Sequence, residues 1–215
     1  MMGLLYERKK LSQAVKKRRI IEFVENSKPD GDYYKLLIGA ILIAIGGILT
    51  DSIPVVIASM IIAPLATPIL AISLGLVGRD WRYVGRNIIV LVFSSFVAFA
   101  IGISAAMILK DDRVPDILIS FDGNQVIAVM VAVVAGAIGA SGVVRQKVAS
   151  AALGVAIAVS LMPPLVATAI GLAPGGTPFA GSLTLYILNV IGIIAAGTIV
   201  FGLLGLGKTY RSIKK

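Results

Sequence analysis

Apolar residues in this chain fall into long runs separated by short polar stretches. They show neither the alternation of a half-buried strand nor the single stripe of a surface helix. Six runs approach the ~20 residues that a helix needs to cross a hydrocarbon core. They cover 34–50, 54–77, 87–109, 125–142, 148–173 and 183–206. The first is slightly short, and Tyr33 and Tyr34 suit the membrane interface at its start. The pattern predicts an all-α integral membrane protein with six transmembrane helices.

The polar stretches test that count through their charges. Nine basic residues lie before the first span or at its start: Arg8, Lys9, Lys10, Lys16, Lys17, Arg18, Arg19, Lys28 and Lys35. Arg79, Arg82 and Arg86 follow the second, Arg145 and Lys147 the fourth, and Lys208, Arg211, Lys214 and Lys215 the sixth. With six spans these eighteen of the twenty basic residues share one side, while Lys110 and Arg113 lie opposite, beside Asp51, Asp111, Asp112, Asp116 and Asp122. The positive-inside rule then puts both termini in the cytoplasm of a cell whose plasma membrane the chain crosses. Topology explains the net charge of +9 without any nucleic-acid partner. Turning either proline-bearing run into a re-entrant hairpin would strand basic residues on the outer side.

Residues 1–32 read as a basic amphipathic cytoplasmic helix, with Leu4, Leu5, Leu11, Val15, Ile20 and Phe23 at roughly helical spacing among the cations. Two readings of this stretch compete. One is a helix lying on an anionic lipid surface; the other is a solvated tail that only fixes orientation. The remaining division is a first three-helix repeat at 33–110, an outer loop at 111–124, a second three-helix repeat at 125–207, and a basic cytoplasmic tail at 208–215. No apolar core long enough for a cleaved signal stands at the start.

The two repeats share a feature. The first reads SMIIAPLATPILAISLGL from Ser59, the second VSLMPPLVATAIGLA from Val159. Setting Pro64 on Pro164 aligns Ala58 with Ala158 and Leu65 with Leu165. Three spans per copy force opposite orientations, which makes an inverted repeat with its second and fifth helices broken at proline. Each proline removes the donor for the carbonyl four residues back. Pro64 and Pro68 free the carbonyls of Met60 and Pro64; Pro163 and Pro164 free those of Val159 and Ser160. In hydrocarbon such carbonyls need a partner, and Ser59, Thr67, Ser160 and Thr168 lie close by. Carbonyls with hydroxyls are hard oxygen ligands for a small cation or polar solute. The plainer alternative is a kink that the hydroxyls repair. Pro64 lies ten residues from Pro54, about 15 Å along a helix and so near the midplane.

Other residues refine this picture. No Asp, Glu, Lys or Arg sits well inside a run, which removes the carboxylate relay of a proton-coupled pump. Asp51 suits a helix cap, with Pro54 in the first turn behind it. Asn189 is the best buried polar side chain, placed to hydrogen-bond across helices or to touch a solute. Small residues, Gly136 to Gly142 with Gly192, Ala196 and Gly197, and Gly39 with Ala40, allow close helix contact. The chain has no Cys and no His, which removes a disulfide framework, the commonest metal ligand and the usual general base.

ASMIIAPLATPILAISLGL in the first half, GAIGASGVVRQKVASAALGVAIAVSLMPPLVATAIGLA in the second, and the spacing between them resemble the domain-of-unknown-function 389 family. The resemblance covers roughly 33–207. It implies an integral membrane protein, often taken for a transporter, and carries over no substrate.

The sequence therefore points to a small membrane transporter for an ion or small polar solute. Its expected site lies between the two proline segments: Ser59, Met60, Pro64, Thr67, Pro68, Val159, Ser160, Pro163, Pro164, Thr168 and Asn189. An oligomeric channel and a non-transporting structural or regulatory subunit are the alternatives. A chain of 215 residues encloses little volume, so a homo-oligomer is expected. No metal site, cofactor or enzymatic activity is expected, since no nucleophile–base pair is visible.

Overall fold

A computed structural model describes residues 13–109, 125–144, 150–173 and 180–214; of the side chains in 150–159, it describes only that of Ile157. Among these residues the chain is helical, without strands: α1 (Gln13–Asn26), α2 (Gly31–Leu49), α3 (Ile53–Ile62), α4 (Ala66–Gly78), α5 (Trp81–Leu109), α6 (Gln125–Val144), α7 (Ser150–Gly171), α8 (Ala180–Leu203) and α9 (Leu206–Lys214). Helices α2, α5, α6 and α8 are long and apolar enough to cross a membrane. Helices α3 and α4 make a fifth candidate span, bent by 50° at their junction.

The long helices are apolar on their outer faces as well as inside. Ile89, Phe96, Met130 and Ile199 point outward, while Leu37, Ile41, Leu65, Ile69, Leu161 and Leu165 are fully buried. Only a lipid-facing bundle tolerates both at once, so the chain is a multi-pass membrane protein.

Two tight turns set the path of the first half. The carbonyl of Gly47 accepts from the Ser52 amide at 2.8 Å, with Asp51 left-handed at φ 49° between the helices. The carbonyl of Gly75 accepts from the Asp80 amide at 2.9 Å, with Arg79 left-handed at φ 58°. Both are Schellman endings, which satisfy the last carbonyls of a helix and reverse the chain. Asp51 thus ends α2, and Ser52 occupies the position before α3 that the sequence had suggested for Asp51, with Pro54 in the first turn. Asp80 also starts the next helix, accepting from the Tyr83 amide at 3.1 Å. That cap explains why α5 begins at Trp81, six residues before the expected Asn87.

Helix α4 packs against α8, and α7 packs against α5, so each proline segment leans on the last long helix of the other half. Helix α6 runs along α8. Gly136 makes that approach possible: a Cβ there would sit 2.8 Å from the Ile193 Cα and 2.9 Å from its carbonyl oxygen. Gly197 makes room for the Ser73 hydroxyl, and Gly102 for the Ala169 methyl. Gly39, also expected at a contact, faces open space; Gly47 takes the contact role in α2 by lying against the Val56 backbone.

At one end of the bundle the first and last described helices meet. Lys16 Nζ donates to the Leu204 carbonyl at 2.7 Å, and Thr209 Oγ1 to Gln13 Oε1 at 3.2 Å. The expected tail is thus a helix, α9, with Leu206 and Tyr210 buried and Lys208, Arg211 and Lys214 outward. Its anchor is Asp80, which accepts from Tyr210 Oη at 2.8 Å and from Lys214 Nζ. Tyr83 stacks near Tyr210 with centroids 5.8 Å apart, and its hydroxyl bonds Ser27 at 2.7 Å. One carboxylate thereby ties α9 to the α4–α5 turn, and Tyr83 extends the tie to the residue behind α1.

Burial alone would raise the Asp80 carboxyl, but hydrogen bonds from Lys214, Tyr210 and the Tyr83 amide outweigh it and hold the group below its ordinary 3.8. A depressed carboxyl stabilises fully above its unfolded value and loses that contribution as pH falls through the folded one. Helix α9 should therefore stay docked from pH 8 down to about 5 and release only below about 4. Asp80→Asn, which keeps the cap but loses the charge, should release it at every pH. Emission from Trp81, the chain's only Trp, and amide exchange across α9 check this; release of α9 in the native protein between pH 7 and 5 contradicts it.

Candidate functional site

The first proline segment breaks its helix. Ala63 is extended (φ −63°, ψ 122°), as the residue before a proline prefers. Pro64 and Leu65 lie between the helices, and Pro68 falls in the first turn of α4, where its missing N–H is not needed. The Pro64 carbonyl, which Pro68 cannot serve, accepts instead from the Thr67 amide at 3.3 Å. The break stands about ten residues into a 26-residue stretch, 53–78, or roughly 15 Å from its start.

The second segment does not break. Helix α7 runs through Pro163 and Pro164 without interruption, which corrects the expectation of two broken helices. The difference comes from a neighbouring side chain. Pro164 has no N–H for the Ser160 carbonyl, and Asn189 Nδ2 of α8 donates to that oxygen at 2.6 Å. A side-chain amide thus replaces a missing backbone amide and holds the helix together. The first segment shows no such repair among the described residues.

The hydroxyls expected near a solute are engaged locally. Ser59 Oγ donates to the Val56 carbonyl at 2.6 Å and Ser160 Oγ to the Ile157 carbonyl at 2.9 Å. Thr168 Oγ1 donates to the Pro164 carbonyl at 2.7 Å and lies 3.1 Å from Ser182 Oγ. Ser59, Ser160 and Thr168 are buried, as are Met60, Pro68, Pro163 and Pro164. Pro64 and Thr67 are half-buried at the break. The Val159 side chain lies outside the described residues. Helices α3 and α7 pack together, so the two proline segments belong to one contact region; the local bonds of Ser59, Ser160 and Thr168 fit the plainer, kink-repairing role.

Asn189 differs from the others. It is 2% exposed, and its Oδ1 has no hydrogen-bond partner among the described residues. Leaving a buried acceptor unmade costs about 1–3 kcal/mol. Asn87 shares the trait, but its Nδ2 bonds the Tyr83 carbonyl of its own helix at 2.8 Å, close to the start of α5. Asn189 instead sits mid-helix and bridges to the carbonyl that a proline freed. Polar residues one and two turns away extend its stripe along α8: Tyr186, whose hydroxyl is 2.8 Å from Ser95 Oγ, and Ser182 beside Thr168. Tyr186 and Ser182 escaped the sequence reading, although their spacing of four and three residues towards Asn189 places all three on one helix face. Among the described residues no group of His, Cys, Asp and Glu is arranged to hold a metal ion.

Comparison with known proteins adds a family. The family model described as Domain of unknown function (DUF389) matches residues 60–195, a range that includes both prolines of the break, all of α7 and Asn189. An uncharacterized protein of Methanocaldococcus jannaschii is 30% identical over 189 residues, covering 84% of this chain and 56% of that protein. The chain therefore spans little more than half of that relative's length. No solved structure matches.

If Asn189 repairs the bond that Pro164 removes, the two residues are coupled. Asn189→Leu should lower stability by about 1–3 kcal/mol, the cost of an orphaned buried carbonyl. In a Pro164→Ala background, which restores the N–H, the same change should cost markedly less. A double-mutant cycle on unfolding in detergent measures the coupling; additive effects contradict the repair.

Proposed function

The chain belongs to the family described as Domain of unknown function (DUF389), and we propose that it is a small membrane transporter for an ion or small polar solute. The solute site lies between the α3–α4 break and α7, at mid-depth. One observation carries this reading: non-helical backbone at Ala63–Leu65, between two helices that together are long and apolar enough to cross a membrane. Irregular backbone at membrane depth is tolerated where protein buries it or where it lines a cavity, and secondary transporters place their solutes at such broken helices. Thr67, half-buried at the break and with no hydroxyl bond among the described residues, is the side chain we assign to solute contact there.

The topology of this reading is six crossings. Helices α1 and α9 meet at one end, and Asp80, between α4 and α5, joins them there through Tyr210 and Tyr83. In this reading the α3–α4 pair runs from one end to the other, and α7 supplies the sixth crossing that an even number requires. Reciprocal packing, α4 on α8 and α7 on α5, supports two copies in inverted orientation with α2, α3–α4 and α5 matched to α6, α7 and α8. The alternative of a second broken helix is not part of it. The basic end faces the cytoplasm of the plasma membrane by the positive-inside rule. Lipid surrounds the bundle, like copies complete the assembly, and no chemical conversion of the solute takes place.

Flux into sealed proteoliposomes tests this. A panel of ions and small polar solutes should include one whose uptake saturates. Thr67→Val should cut that uptake several-fold at unchanged stability. Thr168→Val should lower stability, because its hydroxyl serves the Pro164 carbonyl and touches Ser182. Uptake that rises without saturation points to an oligomeric channel instead. A native protein that moves nothing in the panel sinks transport and leaves a structural subunit.

A further inference from the structure

Among the described residues Asn189 is the mid-span side chain whose polar atoms are half used, and its unused half has a fixed identity. The amide of an asparagine is ordinarily ambiguous between oxygen and nitrogen. Here the partner settles it. The Ser160 carbonyl can only accept, and Pro164 guarantees that no backbone amide of the next turn competes for it. Nδ2 must therefore face Ser160 at 2.6 Å, and Oδ1 must face away, buried and without a partner among the described residues. A bare acceptor held this way in low dielectric attracts positive charge and repels negative charge.

The surroundings sharpen the sign. The buried polar residues described are Ser, Thr and Asn, with no buried Lys or Arg to receive an anion and no buried Asp or Glu. A neutral oxygen site without carboxylates offsets too little of the dehydration of a divalent cation, whose sites use carboxylates and six or more oxygens. It suits a single positive charge.

We infer that Asn189 Oδ1 is a ligand atom for a small monovalent cation, an alkali-metal ion or ammonium, held in place by the bond from Nδ2 to the carbonyl that Pro164 frees. The inference deepens the transport reading and rests on it for the route by which the ion reaches α8. The proline's place in α7 then has a function that no kink requires: it turns Asn189 into an oriented oxygen.

Thermal unfolding of the purified full chain tests it, with sodium, potassium, ammonium and choline chlorides compared at equal ionic strength. A ligand that binds only the native state raises apparent stability. One of the three small cations should raise the midpoint above choline, and exchanging chloride for nitrate or sulfate at constant cation should leave that difference unchanged. The difference should be lost in Asn189→Leu. Because that variant orphans the Ser160 carbonyl, the pair Pro164→Ala with Asn189→Leu is measured too; the N–H that Pro164→Ala restores takes over the carbonyl from Nδ2, so the loss left unreplaced is that of the Oδ1 oxygen. Loss of the cation difference in the pair, with Pro164→Ala alone still folded, supports the assignment. A difference that survives in the pair, a dependence on the anion, or no difference among the four chlorides overturns it. The outcomes separate from those of the transport reading: cation binding without flux leaves this site standing and removes the carrier, while saturable uptake of an anion or neutral solute does the reverse.

Discussion

A proline at membrane depth leaves a carbonyl that lipid cannot satisfy, and the two halves of this chain answer that constraint in different ways. At Pro64 and Pro68 the backbone gives way. Ala63 turns extended, a short turn serves the Pro64 carbonyl, and the helix restarts with Pro68 safely in its first turn. At Pro163 and Pro164 the backbone stays helical, and Asn189 brings a donor from α8 to the carbonyl that Pro164 frees. The first answer supplies irregular backbone at mid-depth, and the second supplies an oriented amide oxygen. Both follow from the missing N–H of proline rather than from any charged residue.

Close packing makes these answers possible. Without a hydrophobic driving force between helices in lipid, small residues and interhelical hydrogen bonds carry association. Gly136 lets α8 approach α6 within contact of the Ile193 backbone, and Gly197 admits Ser73, whose hydroxyl reaches the Ile194 carbonyl at 3.2 Å. That approach fixes the position of α8 and with it the place of Asn189. At the basic end, Asp80 performs a comparable service for α9 through one carboxylate.

Much of this was legible in the sequence, for physical reasons. Long apolar runs have few alternatives to spanning helices, so α2, α5, α6 and α8 were visible, as were the position of the break at Pro64 and the cross-helix role of Asn189. Three things were not. The continuity of α7 depends on a donor 25 residues away from Pro164, and a single sequence gives spacing, not neighbours. The early start of α5 depends on Asp80 acting at once as a turn end and a cap. Helix α9 was hidden because nine residues rich in Lys and Arg look like a tail until Leu206 and Tyr210, four apart, are seen as one buried face. The hydroxyls of Ser59, Ser160 and Thr168 were found at the right depth, yet each first serves its own helix.

The central claim is that the break at mid-depth meets solution. The chain has no Cys, so a single introduced thiol is the only one present. Thr67→Cys in sealed, oriented vesicles, challenged with a membrane-impermeant thiol reagent from each side in turn, reads that exposure directly. Alternating access predicts labelling from both sides; a thiol that stays unreactive from both would show a dry, packed junction and contradict the account.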